Sequence, residues 1–174
     1  MTHLFSRSGI IVKQLFMKNK LLLFILLTIP LLKSNAQAPP KAAREFVKLL
    51  NKIAYHTSAP SPWQFEGKFS IDSAYAISKS GLLSTTFRYT SDTSILRIRM
   101  TVAVADIRDI FYDYYIGLVC YSDAVTIYEA TSASSSLIES GKNYLFHVGI
   151  SDNEGEKQQE QLQKMLVQLK EYYK

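Results

Sequence analysis

Between residues 63 and 150 apolar and polar positions alternate. Phe69, Ile71, Ser73, Tyr75 and Ile77 alternate with Lys68, Ser70, Asp72, Ala74 and Ala76. After a Lys79-Ser80-Gly81 turn signal, Leu83, Thr85, Phe87 and Tyr89 alternate with Ser84, Thr86 and Arg88. A second turn signal, Ser91-Asp92-Thr93, precedes Leu96, Ile98, Met100, Val102 and Val104, with Arg97, Arg99 and Thr101 on the opposite face. A period of two marks half-buried strands, and strict alternation marks an antiparallel sheet with one wet face. In "IRDIFYDYYIGLVCYS" (107–122) the even positions Ile110, Tyr112, Tyr114, Ile116, Leu118 and Cys120 are all apolar or aromatic. This predicts one central strand with its even side in the core. Tyr and Phe pack well on a pleated surface, so the aromatic density has a structural cause. Ser122-Asp123 predicts a hairpin turn, 124–130 the returning strand, 131–143 a Ser-rich loop and 144–150 a last strand.

The period changes at both ends of this region. In 39–56, Phe46, Leu49, Leu50 and Ile53 share one helical face, with Val47 and Ala54 at its edge. Arg44, Lys48 and Lys52 recur every fourth residue on another face. "TSAPSP" (57–62) ends this helix with two prolines. In 151–174, Leu162, Met165, Leu166, Leu169 and Tyr173 form a second stripe, and Ser151 with Glu154 fits a capping box. The expected fold is α+β: a curved antiparallel sheet of about six strands, an N-terminal helix, and a C-terminal amphipathic helix packed on the sheet.

The first 38 residues follow a different rule. From Met17, "MKNKLLLFILLTIPLLKSNAQA" has a basic start, an apolar run and small residues at Ala36-Gln37-Ala38. That is the pattern of a secretory signal peptide, cut after Ala36 or Ala38. The run is about a dozen residues, short of the roughly 20 a membrane span needs. No cysteine lies near the cut to carry a lipid. Met17 is the better start, and residues 1–16 read as an extended leader or a mis-assigned start. The organisation expected is a leader over 1–38 and a single domain over 39–174. The product is then periplasmic or secreted, and not an integral membrane protein once cleaved.

The leader changes the electrostatics. The whole chain carries a formal charge of +5. Arg7, Lys13, Lys18, Lys20 and Lys33 all precede residue 39 and no acid does, leaving 15 basic against 15 acidic residues. Nucleic-acid binding loses its support, because it rests on clustered Lys and Arg against many phosphates. The lone Cys120 cannot form an internal disulfide and reads as a buried small hydrophobe.

The order from residue 82 to 173 resembles the closing part of a pleckstrin-homology-like (PH-like) domain. A strand is followed by "ADIRDI", the hairpin "IGLVCYSDAVTIYEA", a loop, the strand "YLFHVGI" and an amphipathic helix. The resemblance implies a bent, split barrel capped by the last helix, and no particular activity. The chain departs from the family in having six predicted strands for seven, an extra first helix and an export signal.

Familiar chemistries find little footing. His56 and His147 belong to no HxH or HExxH pattern. Asp106, Asp109 and Asp113 lack the glycine and closing glutamate of a calcium loop. No GxSxG elbow is present, and Ser140-Gly141-Lys142-Asn143 lacks the rest of a phosphate-binding loop. Around a Ser122-Asp123 hairpin, Asp113 would face about Ser132 and Glu129 about Ile116, which gives no paired-carboxylate dyad. No enzyme activity, cofactor or metal is expected. The candidate ligand-binding residues are Arg97, Arg99, Asp113 and Tyr115, on the wet faces of neighbouring strands with Gly117 making room. Arg beside Tyr suits an anionic or aromatic ligand. The plainer account is a cross-strand ion pair of Arg97 or Arg99 with Asp113. The expected role is non-enzymatic binding of a small ligand, peptide or envelope protein. The alternative is a structural or accessory subunit of an envelope complex, and a hydrolase without recognisable motifs stands third.

Overall fold

The computed structural model describes residues 40–56, 68–132, 135–151 and 153–174, which belong to one compact unit. The leader, the "TSAPSP" stop and the start of alternation at Trp63 lie outside the described residues. Helix α1 (Lys41–His56) comes first, then strands β1 (Lys68–Ile77), β2 (Leu82–Thr90) and β3 (Ile95–Ala103). One 3₁₀ turn (Val104–Asp106) leads to β4 (Ile107–Tyr112), β5 (Tyr115–Cys120), β6 (Val125–Ala130), β7 (Ile138–Asn143) and β8 (Leu145–Ile150). Helix α2 (Gly155–Tyr172) closes the chain. Among the described residues no helix is long and apolar enough to cross a membrane.

The α+β class and the antiparallel pairing stand; the single sheet of about six strands does not. Eight described strands form a five-stranded sheet, β1-β2-β3-β6-β7, and a three-stranded sheet, β4-β5-β8. These two sheets do not close into a barrel. The stretch 107–122 is two strands, not one: Asp113 and Tyr114 form a turn, and the chain folds back with Ile110 opposite Leu118 and Tyr112 opposite Ile116. From Asp109 to Tyr112 the paired positions differ by an even number, so the inward residues beside the turn, Ile110, Tyr112, Ile116 and Leu118, stay even-numbered and the hairpin reads as one continuous strand. Beyond an irregularity between Ile107 and Asp109 the parity changes, and the buried Ile107 lies opposite Cys120.

Two further expectations are corrected nearby. The turn at Ser122-Asp123 exists, with Asp123 at a φ of 56°, but it does not join paired strands. β5 pairs with β4 and β8, whereas β6 crosses to the other sheet and pairs with β3 and β7. Glu129 accordingly faces Ile98 and Ile138, not Ile116. The second half of the Ser-rich loop is strand β7. It has almost no apolar alternation, and its pairing with β6 defines it.

Both sheets and both helices share one core. From α1 it takes Phe46, Leu50 and Ile53; from α2, Leu162, Leu166 and Leu169. Met165 and Tyr173 pack at its margin. Each fully buried Leu or Ile contributes about 1.5–3 kcal/mol by leaving water, and the two stripes hold the helices down. The capping box is not realised. Helix α2 begins at Gly155 with Glu154 at the cap position and no side-chain cap, and Ser151 Oγ donates to Gln158 Oε1 at 2.9 Å.

Side chains cover three of the four sheet edges. On β1, Asn51 of α1 donates to Tyr75 O at 3.1 Å and accepts from Tyr75 N–H at 2.8 Å. On β4, Gln159 donates to Ile110 O at 2.8 Å and Gln163 accepts from Ile110 N–H at 3.1 Å. On β8, the Tyr75 hydroxyl reaches the carbonyls of His147 and Val148 at 2.9 and 3.1 Å. An uncovered edge offers backbone groups to any passing strand.

Candidate functional site

The outer face of the five-stranded sheet is polar because the inward positions of β2 and β3 are apolar apart from Thr85, and alternation sends the rest outward. The strand register places Arg88 opposite Arg97 and Thr86 opposite Arg99. On the other side, Arg99 lies opposite Tyr128 and Thr101 opposite Thr126. Like charges directly opposed across strands repel. The Arg88–Arg97 pair is held by one carboxylate, Asp72, which β1 supplies from a bulge between Ile71 and Ser73. The extra residue of a bulge re-aims a side chain, here toward the arginines.

Asp72 receives Arg88 through two contacts, Nη2 to Oδ2 at 2.9 Å and Nε to Oδ1 at 2.8 Å. Arg97 Nε donates to Oδ2 at 2.9 Å. The Asp72 side chain is 14% exposed and those of Arg97 and Arg88 are 21% and 36% exposed, so solvent screens part of this attraction. Arg99 is exposed and donates from Nε to Thr86 Oγ1 at 3.2 Å. By register, Glu139 and Lys142 of β7 join the same face beside Tyr128 and Thr126. The face therefore carries five cations, Lys68, Arg88, Arg97, Arg99 and Lys142, against two carboxylates, Asp72 and Glu139. Replacing Asp72 by Asn leaves two arginines opposed without a counter-charge. The expected loss is about 1–2 kcal/mol after allowance for exposure. Urea denaturation of the variant should show that loss shrinking as salt rises, and an unchanged midpoint would remove Asp72 as the clasp.

The structure does not gather the four candidate residues into one place. Arg97 and Arg99 lie in the five-stranded sheet; Asp113 and Tyr115 belong to the β4–β5 turn and β5 of the other sheet. The expected ion pair of Arg97 or Arg99 with Asp113 is corrected: the carboxylate that binds Arg97 is Asp72. Gly117 leaves no vacant room either, because a Cβ there would meet Leu145 Cδ1 at 3.0 Å. Missing from the sequence reading were Arg88, Asp72, Thr86 and Tyr128.

Tyr115 stands at the centre of an aromatic patch on the three-stranded sheet. Its ring lies 5.5 Å from Phe111, 5.2 Å from Tyr114 and 5.9 Å from His147. Burial raises its pKa, with further pressure from Tyr114, Tyr144 and Asp113. His147 is buried, and burial lowers its pKa to about 4. Cys120 is buried as expected, and burial pushes its thiol up to about 12, with Asp106 adding to the rise. A thiol so high is not a nucleophile at neutral pH. Among the described residues no three His, Cys, Asp or Glu side chains group to hold a metal.

The fold and these faces define a two-sheet, two-helix α+β protein with one cationic, hydroxyl-lined sheet face. No family model, curated protein or solved structure matches the chain.

Proposed function

We propose that the protein is an exported, non-enzymatic binding module that receives an anionic, hydroxylated small ligand on the outer face of its five-stranded sheet. Export rests on the signal-peptide pattern of the leader. The observation that carries the binding reading is Arg99. It is exposed, spends its Nε on Thr86, and stands between Thr86 and Tyr128 on a face with more cations than carboxylates. A guanidinium presents a planar fork suited to carboxylate or phosphate, and the partly exposed hydroxyls of Tyr128, Thr126 and Thr101 suit a polyol, while Thr86 is buried. Asp72 holds Arg88 and Arg97 in place without neutralising the face. The amphipathic helix closing the sheets supports kinship with PH-like domains, with open sheets in place of the barrel.

Calorimetric titration with sugar phosphates and uronic acids tests this. Arg99→Ala should weaken binding about ten- to a hundredfold, the worth of one charged hydrogen bond, with no change in Tm. Equal binding by both proteins, or no saturable binding across the series, overturns the reading.

A second reading, an accessory subunit of an envelope complex, draws on β7. It is the one sheet edge without a side-chain cover among the described residues, and Ile138 on it is 72% exposed. Strand addition by a partner protein would use such an edge.

A further inference from the structure

A groove of about 510 Å³ runs between α1 and α2, and its described lining comes from these two helices. Leu49 of α1 and Met165 of α2, each partly buried, give it apolar walls. Lys48, Lys52 and Lys164 stand around them, all exposed. Glu45 also lines the groove, 3.5 Å from Lys41. Among the described residues none of the three lysines makes an ion pair. Lys48 and Lys52 lie one turn apart on one helix, where like charges destabilise it slightly. Among the described lining residues the one carboxylate is Glu45, which pairs with Lys41. The lysine methylenes extend the apolar lining while their ammonium groups stay in water. Met165 adapts to irregular apolar shapes.

We infer that this groove binds a single-chain anionic amphiphile, with its acyl chain against Leu49 and Met165 and its carboxylate among Lys48, Lys52 and Lys164. The volume falls within the range of small-ligand sites, roughly 300–1,000 Å³. It is too small for a docked helix. One turn of an α-helix alone fills roughly 400–600 Å³, given its width and pitch, and groove-bound helices anchor over several turns. The charge pattern selects an anion, and the apolar walls of Leu49 and Met165 suit an acyl chain. This site is independent of the sheet-face reading.

The test uses the processed protein with sodium dodecanoate below its micelle concentration, followed by calorimetry. Dodecanoate should bind saturably with one site per chain, more weakly as salt rises. Dodecanol and butyrate should bind at least tenfold more weakly, one lacking the charge and the other the chain. The variant carrying Lys48→Gln, Lys52→Gln and Lys164→Gln should lose tenfold or more with its Tm unchanged, because all three side chains are exposed. Arg99→Ala should bind dodecanoate as the parent does, which separates this site from the sheet face. Absence of saturable binding overturns the inference, as does equal binding by the triple variant. Adsorption to phosphatidylglycerol vesicles without binding of free dodecanoate would also overturn it, since the lysines would then serve a membrane surface.

Discussion

Acidification from pH 6.5 to 4 should cost the folded protein up to about 3 kcal/mol through one side chain, His147. Its pKa in the fold is about 4, lowered by burial. In the unfolded chain it returns to about 6.5. Above pH 6.5 neither state is protonated there, and the contribution to stability is complete. As pH falls below 6.5 the unfolded chain takes up a proton that the folded protein refuses. Stability then declines by at most about 1.4 kcal/mol per pH unit, until the folded histidine itself titrates near pH 4. Carboxylates also titrate in this window, so the measurement is a difference. Urea denaturation at half-unit steps of pH should show His147→Gln losing less stability on acidification than the parent. Parallel profiles would mean that the ring stays solvated, against its 5% exposure.

The second large effect is expected at Gly81, where two independent constraints meet. Its φ is +78°, a conformation that costs a residue with a side chain about 1–2 kcal/mol. A Cβ there would also lie 2.8 Å from Cδ1 and 2.9 Å from Cγ of Tyr173, which packs at the core margin. Overpacking typically adds about 1–3 kcal/mol. Gly81→Ala should therefore lose about 2–4 kcal/mol and lower Tm by roughly ten degrees. The two causes separate in a double-mutant cycle with Tyr173→Ala: the contact part is coupled and the backbone part is not. A loss below 1 kcal/mol would show that the turn and the end of α2 both yield easily.

The parts of the fold legible in the sequence are those where local pattern and pairing agree. β2 and β3 alternate cleanly, and the turn between them is marked by Ser91-Asp92-Thr93. Folding that hairpin about its turn sets Arg88 against Arg97 and Thr86 against Arg99, as the register has it. The three arginines of the cationic face are legible this way. Asp72 could not, because a bulge breaks the period that would locate it. The β4–β5 hairpin was hidden by its even offset, which preserves parity through a turn containing Asp113 and Tyr114. The sequence sets Glu129 against Ile116 where the fold sets it against Ile98, since nothing local distinguishes a return to β5 from a crossing to β3. That choice is tertiary, decided by which sheet can bury Val125 and Ile127. β7 was missed because strand pairing needs backbone groups and not hydrophobic side chains.

The covered sheet edges bear on how the chain reaches this structure. Asn51 lies 24 residues from the strand it covers, and Gln159 and Gln163 lie 49 and 53 residues from theirs. Contacts this distant form only after the intervening chain has been closed into loops. The β4–β5 hairpin is local and can pair early, before α2 is laid down. For that interval the Ile110 carbonyl is bare, and its N–H is held only by the adjacent Asp109 carboxylate at 2.8 Å. The last helix is thus the step that ends the period of greatest danger from intermolecular pairing. A chaperone or a carrier that delays release until residues 155–172 are free would protect the protein better than one that holds its first half.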